Sequence, residues 1–473
     1  MDDPNALSVA QLTDQLGLHS LKRKWHVQPT VAIRGDVLDC YNSFFGRFVS
    51  IYGTINGQAV GCKGTLNDYA LWTEQPTPVA EVANGKLFVT GPENNTVNVI
   101  HVYGTPYQMG YAHGQLLAPK IQKMIPLFFQ YGELSIAQFV EKFSDRIPKV
   151  LLEIIEKLGL EAALDYIIEE TRPFTPPYFY EELKGLADGS GVSYTLLLQV
   201  HMFPELTKAA CSIIGAWGDA TDEEFRLLQL RALDWGLSSP LNAYPMVIVY
   251  HPQAGNGNPF SVLGWTGFIG ALTGYSRNLG ISQKVWLMYD GEYKHAGIPF
   301  YFILRDMLQY DNTVQEAITR IQDAHRTCSI FLGIGSNSTM TADVVEYSYS
   351  YVNIFNDTTP FPGYKPSPPQ HPILKDIVYV DRHPQPSSDP CLASLLQTYY
   401  GAISPLNIID TVSQSQTGDL HIAIYDYYNN QMYVSVAATT VTDYPFPPGT
   451  VISPAFANQF IQLDMNTLLT LPY

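Results

Sequence analysis

Residues 211–234 read CSIIGAWGDATDEEFRLLQLRALD, two apolar strand-like runs about a loop rich in Gly and Asp, the pattern of a β-hairpin. Folding about a midpoint near Asp222 and Glu223 predicts an antiparallel pair in which Cys211 lies across from Asp234. A thiol, a carboxylate and the Arg231 guanidinium then converge at one end. These groups suit acyl transfer, in which sulfur attacks a carbonyl, a base takes the thiol proton and donors stabilise the oxyanion. Apart from His201, no histidine is near Cys211 in sequence. An alternative base is the α-amine freed if the peptide bond before Cys211 is cut, with a reference pKa of about 7.7–8.0. Asp234 would hold that amine and Arg231 would stabilise the thiolate. The same residues also fit a plain core strand with a small buried cysteine and an Arg231–Asp234 ion pair at its end.

The 473 residues are 46% hydrophobic and 15% charged, enough to bury a large core and too many for one small domain. A net charge of −17 and a pI near 5.0 argue against nucleic acid, whose phosphates need clustered Lys and Arg. The basic cluster Lys22 to Lys24 is the exception. The acidic balance suits an acidic compartment.

Working outward from the hairpin, residues 1–105 form an N-terminal β-rich region with short runs such as KLFVTG and TVNVIHVYG. Residues 106–210 turn helical, with apolar positions at i, i+3, i+4 and i+7 in HGQLLAPKIQKMIPLFFQYG, IAQFVEKFSDRIPKVLLEIIEKLG and EAALDYIIEE. The Ile and Leu stripe of VLLEIIEKLG is a possible lipid-surface contact, but its acidic polar side favours core packing. Residues 211–473 are mostly strands, including PMVIVYHP, KVWLMYDG, DVVEYSYSYVNIF, DLHIAIYDYYN and QMYVSVAA, with helices in FYFILRDMLQY and TVQEAITRIQDA. The Pro-rich tail is expected to pack along the surface. Helices, paired strands, helices, then paired strands make an α+β fold of two stacked antiparallel sheets covered by helices on both outer faces.

Four segments in this order resemble the N-terminal-nucleophile amidohydrolases, which include acid ceramidase, N-acylethanolamine acid amidase, the choloylglycine hydrolases and the penicillin acyltransferases. They are GTPYQMGYAHG, ELKGLADGSGVSYTLLLQVHMFPEL, AACSIIGAWGDATDEEFRLLQLRALDWG and GWTGFIGALTGYSRNLGIS. The likeness spans about residues 100 to 440 and implies a four-layer αββα sandwich with an added N-terminal region. It implies autocatalytic cleavage of a zymogen between Ala210 and Cys211, giving an α chain and a catalytic β chain. Cys211 is then the nucleophile, its α-amine the general base, Arg231 the stabiliser of thiolate and acyl intermediate, and Asp234 the partner of the amine.

The family's oxyanion-hole Asn falls at Asp381, an expected catalytic position. An ionised Asp cannot donate to an oxyanion, so Asp381 would be protonated, or Arg382 or His383 would donate, or the alignment is displaced. Asn337 is a second candidate donor. Near Thr273 and Gly274, Ser276 stands where the bile-acid branch has Asn, with Asn278 close by. Trp235, Trp265, Phe268 and Leu272 would form an acyl pocket. The resemblance points to hydrolysis of a linear amide in an N-acyl lipid, of ceramide or N-acylethanolamine type, through a thioester and without metal or cofactor. Alternatives are an acyltransferase, a penicillin or bile-amide acylase, and an inactive lumenal binding protein on the same fold.

Besides Cys211 there are Cys40, Cys62, Cys328 and Cys391, an even number that allows two disulfides, Cys40 with Cys62 and Cys328 with Cys391, or none. Sequons at Asn94, Asn337 and Asn356 add weight to a secreted or lysosomal glycoprotein; the polar, acidic start MDDPNALSVAQLTDQLG means that either a signal peptide has been removed, the expectation here, or the protein is cytosolic. No run of 18 apolar residues is present. Neither G-x-S-x-G nor C-x-x-C occurs, which disfavours an α/β serine hydrolase and a dedicated zinc site.

Overall fold

The computed structural model describes residues 61–473 apart from 94, 144–148, 207–209, 293, 362–370, 440, 442–443 and 445; the side chains of 135–151 are also outside the description. Cys40, the sequon at Asn94 and the basic cluster at Lys22 to Lys24 therefore lie outside the described residues.

The chain opens with strands β1 (Thr77–Val82), β2 (Gly85–Thr90) and β3 (Val97–Gly104), then helices α1 (Pro106–Phe143), α2 (Lys149–Leu158), α3 (Leu160–Thr171), α4 (Pro177–Ser190) and α5 (Tyr194–Leu206). The hairpin β4 (Ala210–Trp217) and β5 (Leu227–Asp234) follows, and then β6 (Pro245–Pro252), β7 (Phe260–Trp265), β8 (Thr273–Ser276) and β9 (Leu279–Val285). Helices α6 (Phe300–Tyr310) and α7 (Val314–Asp323) lead to β10 (Ser329–Ser336), β11 (Thr341–Ser348), β12 (Val352–Phe355) and β13 (Ile377–Val380). The chain ends with α8 (Cys391–Thr398), α9 (Pro405–Ser415), β14 (His421–Asp426), β15 (Gln431–Val436), β16 (Ala438–Thr439), β17 (Ile452–Ser453), β18 (Ile461–Asp464) and α10 (Met465–Thr470).

Strands β1 to β3 and β6 to β12 form a ten-stranded sheet, and β13, β4, β5, β14, β15 and β18, in that order, form a six-stranded one. The sheets pack face to face: Ile213, Leu227, Ala423 and Tyr425 of the smaller share one apolar cluster with Val247, Tyr275, Phe331 and Val344 of the larger. Helices α1, α4, α5 and α6 cover the outer face of the larger sheet, and α8 and α9 cover that of the smaller. The fold is thus a four-layer αββα sandwich.

The glycines of GTPYQMGYAHG and ELKGLADGSG set the outer helical layer. A Cβ at Gly110 would overlap the Glu182 carbonyl, and one at Gly185 the Tyr107 carbonyl; Gly114 and Gly189 meet Leu186 and Tyr111 in the same way. Only glycine allows α1 and α4 this approach, which seats both helices on the sheet.

Three local expectations are corrected. The strand expected in KVWLMYDG lies upstream, ending at Val285. The tail does not simply pack along the surface, because Ile461–Asp464 pairs with β15 as an edge strand. Cys62 is bonded to Cys391, and Cys328 is a buried cysteine outside that bond, so Cys62 does not pair with Cys40, nor Cys328 with Cys391. The segment at Cys62 is held against α8 and α9, where the Gly64 amide donates to the Gln414 carbonyl at 2.8 Å, and disulfide pairing follows such proximity.

Candidate active site

The β4–β5 hairpin forms as expected, with its register one residue from the expected one. Ala210 pairs with Asp234, and Cys211 with Leu233. Side chains alternate across a strand, so Cys211, Ile213, Arg231 and Leu233 face the other sheet while Ser212 and Asp234 face the opposite way. The three groups expected to converge are therefore divided: thiol and guanidinium on the inner face, carboxylate on the outer.

On the inner face Arg231 is fully buried. Its Nη2 donates to Cys211 Sγ at 3.4 Å and to Gln283 Oε1 at 3.4 Å, its Nε to the Gln283 carbonyl at 3.1 Å, and its Nη1 to His421 Nε2 at 2.7 Å. Among the described residues no carboxylate pairs with this guanidinium, so it is not the ion pair with Asp234 that a plain core strand would carry. Its partners are a thiol, an imidazole and amide oxygens, which leave the positive charge uncompensated in a buried site. Burial pushes the Cys211 thiol up, against the pull of Arg231 and Lys284. Lys284 reaches across from β9, and its Nζ donates to the Cys211 carbonyl at 3.0 Å and to the Arg382 carbonyl at 3.1 Å. Burial also lowers the pKa of this ammonium.

A cavity of about 70 Å³ opens over Arg231. Its wall is apolar, with Trp235, Trp265, Phe268 and Leu272 on one side and Met124 and Phe203 from the helical layer. Gln283 joins Arg231 at its polar end. The Gln283 side chain is 3% exposed. Arg231 holds its oxygen, and among the described residues its Nε2 has no hydrogen-bond partner. An unsatisfied buried donor is costly, and here it belongs to the side chain whose oxygen shares Arg231 Nη2 with the Cys211 thiol.

On the outer face Asp234 accepts from the Gly418 amide at 2.8 Å and the Thr417 hydroxyl at 2.9 Å, and Ser212 donates to Thr417 across 2.7 Å. Because Asp234 lies opposite Ala210, its position flanks the peptide that joins Ala210 to Cys211. Nearby Asp419 accepts from the Trp235 amide at 2.6 Å, and burial, with Asp234 beside it, raises it to about 7.

A four-layer αββα sandwich with Cys211 near the head of a central strand is the architecture that the four resembling segments imply. No protein-family model matches the chain. It is 51% identical over 405 residues to protein dcd1B of Dictyostelium discoideum, covering 85% of this chain and 81% of that protein. It is 47% identical over 426 residues to protein dcd1A of the same organism, covering 89% and 96%. The chain belongs to the Dcd1 family.

Among solved structures, the Caenorhabditis elegans N-acylethanolamine-hydrolyzing acid amidase ortholog superposes with a TM-score of 0.34 at 15% identity, covering 46% of this chain and 93% of that one. Penicillin V acylase from Agrobacterium tumefaciens gives 0.32 at 12%, covering 56% and 94%. Superpositions this partial say nothing of activity.

The Dcd1-family chain brings only some of the expected residues together. Thr273 lies near the site, its hydroxyl donating to His421 Nε2 at 2.9 Å. Gly274 faces Leu308 of α6 instead. Ser276, Asn278 and Asn337 sit around the β8–β9 turn, where the Asn337 amide donates to the Asn278 carbonyl and the Asn278 side chain to Asn312. This is the end of β9 away from Gln283 and Lys284, about 15 Å along the strand, so they are not in reach of Cys211. Asp381 follows β13, with its carboxylate accepting from the His383 amide at 2.7 Å, His383 Nδ1 at 3.0 Å and Gln385 Nε2 at 3.1 Å. Burial opposes its ionisation, but the His383 hydrogen bonds, with Lys284 and Ser387 beside them, together outweigh it and hold the carboxyl below its usual range. Asp381 is thus an acceptor, with no proton to give an oxyanion. Arg382 donates to the Gln416 carbonyl.

The expectations from sequence did not include Gln283, Lys284, His421 or Asp419. His421 lies opposite Leu233, which lies opposite Cys211, so the three form one row across β14, β5 and β4. No local pattern announces it. Burial, and Arg231 beside it, lower the His421 pKa well below the usual range, so it accepts the guanidinium as a neutral imidazole.

Proposed function

We propose that this protein is a self-cleaving cysteine amidohydrolase acting on a linear amide of an N-acyl lipid, of ceramide or N-acylethanolamine type. The observation that carries this reading is the uncompensated Arg231 guanidinium against the Cys211 thiol at the polar end of an apolar cavity. In maturation, Cys211 Sγ attacks the Ala210 carbonyl, the C–N bond breaks as the thioester forms, and water hydrolyses the thioester to leave a carboxylate on Ala210 and an amine on Cys211. That amine emerges where Asp234 can hold it. It then takes the thiol proton, and the thiolate, steadied by Arg231, attacks the substrate carbonyl. Gln283 Nε2 is the side-chain donor best placed for the developing oxyanion, the role Asp381 cannot fill. The ammonium returns its proton to the departing amine, and water completes the cycle.

The acyl chain would occupy the apolar cavity. The disulfide and the sequons support a secreted or lysosomal setting. A second reading, an inactive binding protein on the same fold, draws on the complete burial of Cys211 in the continuous chain. Quenched mass spectrometry during incubation with a panel of N-acyl amides separates the two. The enzyme gives free acid and an acyl adduct on Cys211 that is absent in Cys211→Ala. A matured protein with neither product nor adduct across the panel overturns the proposal. Transfer of the acyl group to an added amine in place of water marks an acyltransferase.

A further inference from the structure

Strand β7 leaves its sheet at Trp265 and β8 resumes at Thr273. The segment between carries three cavity-lining side chains, Trp265, Phe268 and Leu272 when its flanks are included, and little regular structure of its own. Its backbone is fixed by groups from the helical layer. The Gly267 amide donates to His113 Nε2 on α1 at 3.0 Å, and the Ile269 amide donates to His201 Nε2 on α5 at 3.0 Å. Arg305 Nη1 of α6 donates to the Ile269 carbonyl at 3.0 Å, and the Ala271 amide donates to the Tyr301 carbonyl at 3.1 Å. The tautomer of His201 is set independently, because its Nδ1 donates to the Leu197 carbonyl at 2.6 Å and leaves Nε2 free to accept. Its ring stacks on Phe268, with centroids 4.7 Å apart and planes within 9°. Both imidazoles are fully buried, and burial drives them down to about 3 for His113 and about 4 for His201, so both are neutral acceptors.

We propose that His113 and His201 are positioning residues that fix residues 266–272 as the wall of the apolar cavity and so set the length of acyl chain it admits. Helices upstream of the cleavage point thereby shape the pocket used by a nucleophile downstream of it, and the upstream fragment remains part of the site after cleavage. This rests on the reading of the cavity as an acyl pocket, deepened here to name what sets its depth.

The test uses His113→Leu and His201→Leu, which remove the acceptor, against His113→Gln and His201→Gln, which offer an oxygen in its place. Binding of a fluorescent polyene fatty acid, displaced by unbranched fatty acids of graded length, is measured on the full-length protein without turnover. Leaving a buried amide unpaired should weaken the best-fitting acid by roughly tenfold in the Leu variants. The order of preference among lengths should change in the Leu variants, with the Gln variants closer to the parent. Folded Leu variants with the parental length profile overturn the proposal, as do Gln variants that misbehave as badly as Leu. If the parent binds no fatty acid at all, the acyl-pocket reading itself fails, whatever the variants do.

Discussion

Two buried arginines do opposite things in this molecule. Arg305 is neutralised: both of its terminal nitrogens donate to Glu182, at 3.0 and 2.5 Å, and its guanidinium lies 4.2 Å from the centre of the Tyr250 ring. Arg231 is equally buried, yet it faces a thiol, an imidazole and amide oxygens. A charge that is paired holds helices together; one left uncompensated is available to stabilise an anion that forms only during reaction. The difference marks the proposed site more clearly than any motif.

The comparison can be broken by exchanging each arginine for methionine. Arg305→Met leaves the Glu182 carboxylate buried and alone, and should cost about 3–5 kcal/mol in denaturant unfolding. Arg231→Met orphans no opposite charge, so it should cost less stability while abolishing both self-cleavage and turnover. Equal losses of stability would mean that Arg231 is structural too. A smaller effect is expected at the proposed oxyanion donor: Gln283→Leu should lower kcat about 10²–10³-fold, or about 2.7–4 kcal/mol, with the fold intact. A normal kcat in that variant removes Gln283 from the mechanism.

Smaller still is the effect of Lys284, whose ammonium lies against the Cys211 carbonyl and draws down the pKa of neighbouring acids. Lys284→Met should move the acid limb of the kcat/KM profile to higher pH by about one unit, because the base next to Cys211 then holds its proton more tightly. A pH dependence of stability is expected as well. His113 is held near 3 by burial, with His201 and Arg305 beside it, against an ordinary value near 6.5. The unfolded chain therefore takes up a proton that the folded one refuses as pH falls from about 6.5 toward 3, and the contribution of this group to stability is lost across that window. His113→Gln should accordingly lose less stability on acidification than the parent in parallel melts.

The hairpin at residues 211–234 could be read from sequence because its alternation and its Gly and Asp loop are local. Its register was missed because Trp217 closes on Leu227, which centres the loop on Asp222. Half a residue in that midpoint turned Asp234 to the other face. The aromatic wall of the cavity was legible in GWTGFIGALTG, since apolar rings in a Gly-rich, strand-poor run have to pack somewhere. His421 was not, because it reaches the site through the pairing of β5 with β14, far apart in sequence. The Cys62–Cys391 bond spans 329 residues, a distance over which spacing carries no information about pairing. Ser276 and Asn278 looked promising for being near Thr273 in sequence, but the β8–β9 turn carries them away from Cys211.

The central claim is that Cys211 becomes the first residue of a chain. Mass spectrometry of turnover-competent protein, with and without reduction of the disulfide, tests it directly. The account predicts one covalent species that reduction separates into two, meeting between Ala210 and Cys211. Active protein that remains a single uncut chain after reduction would contradict it.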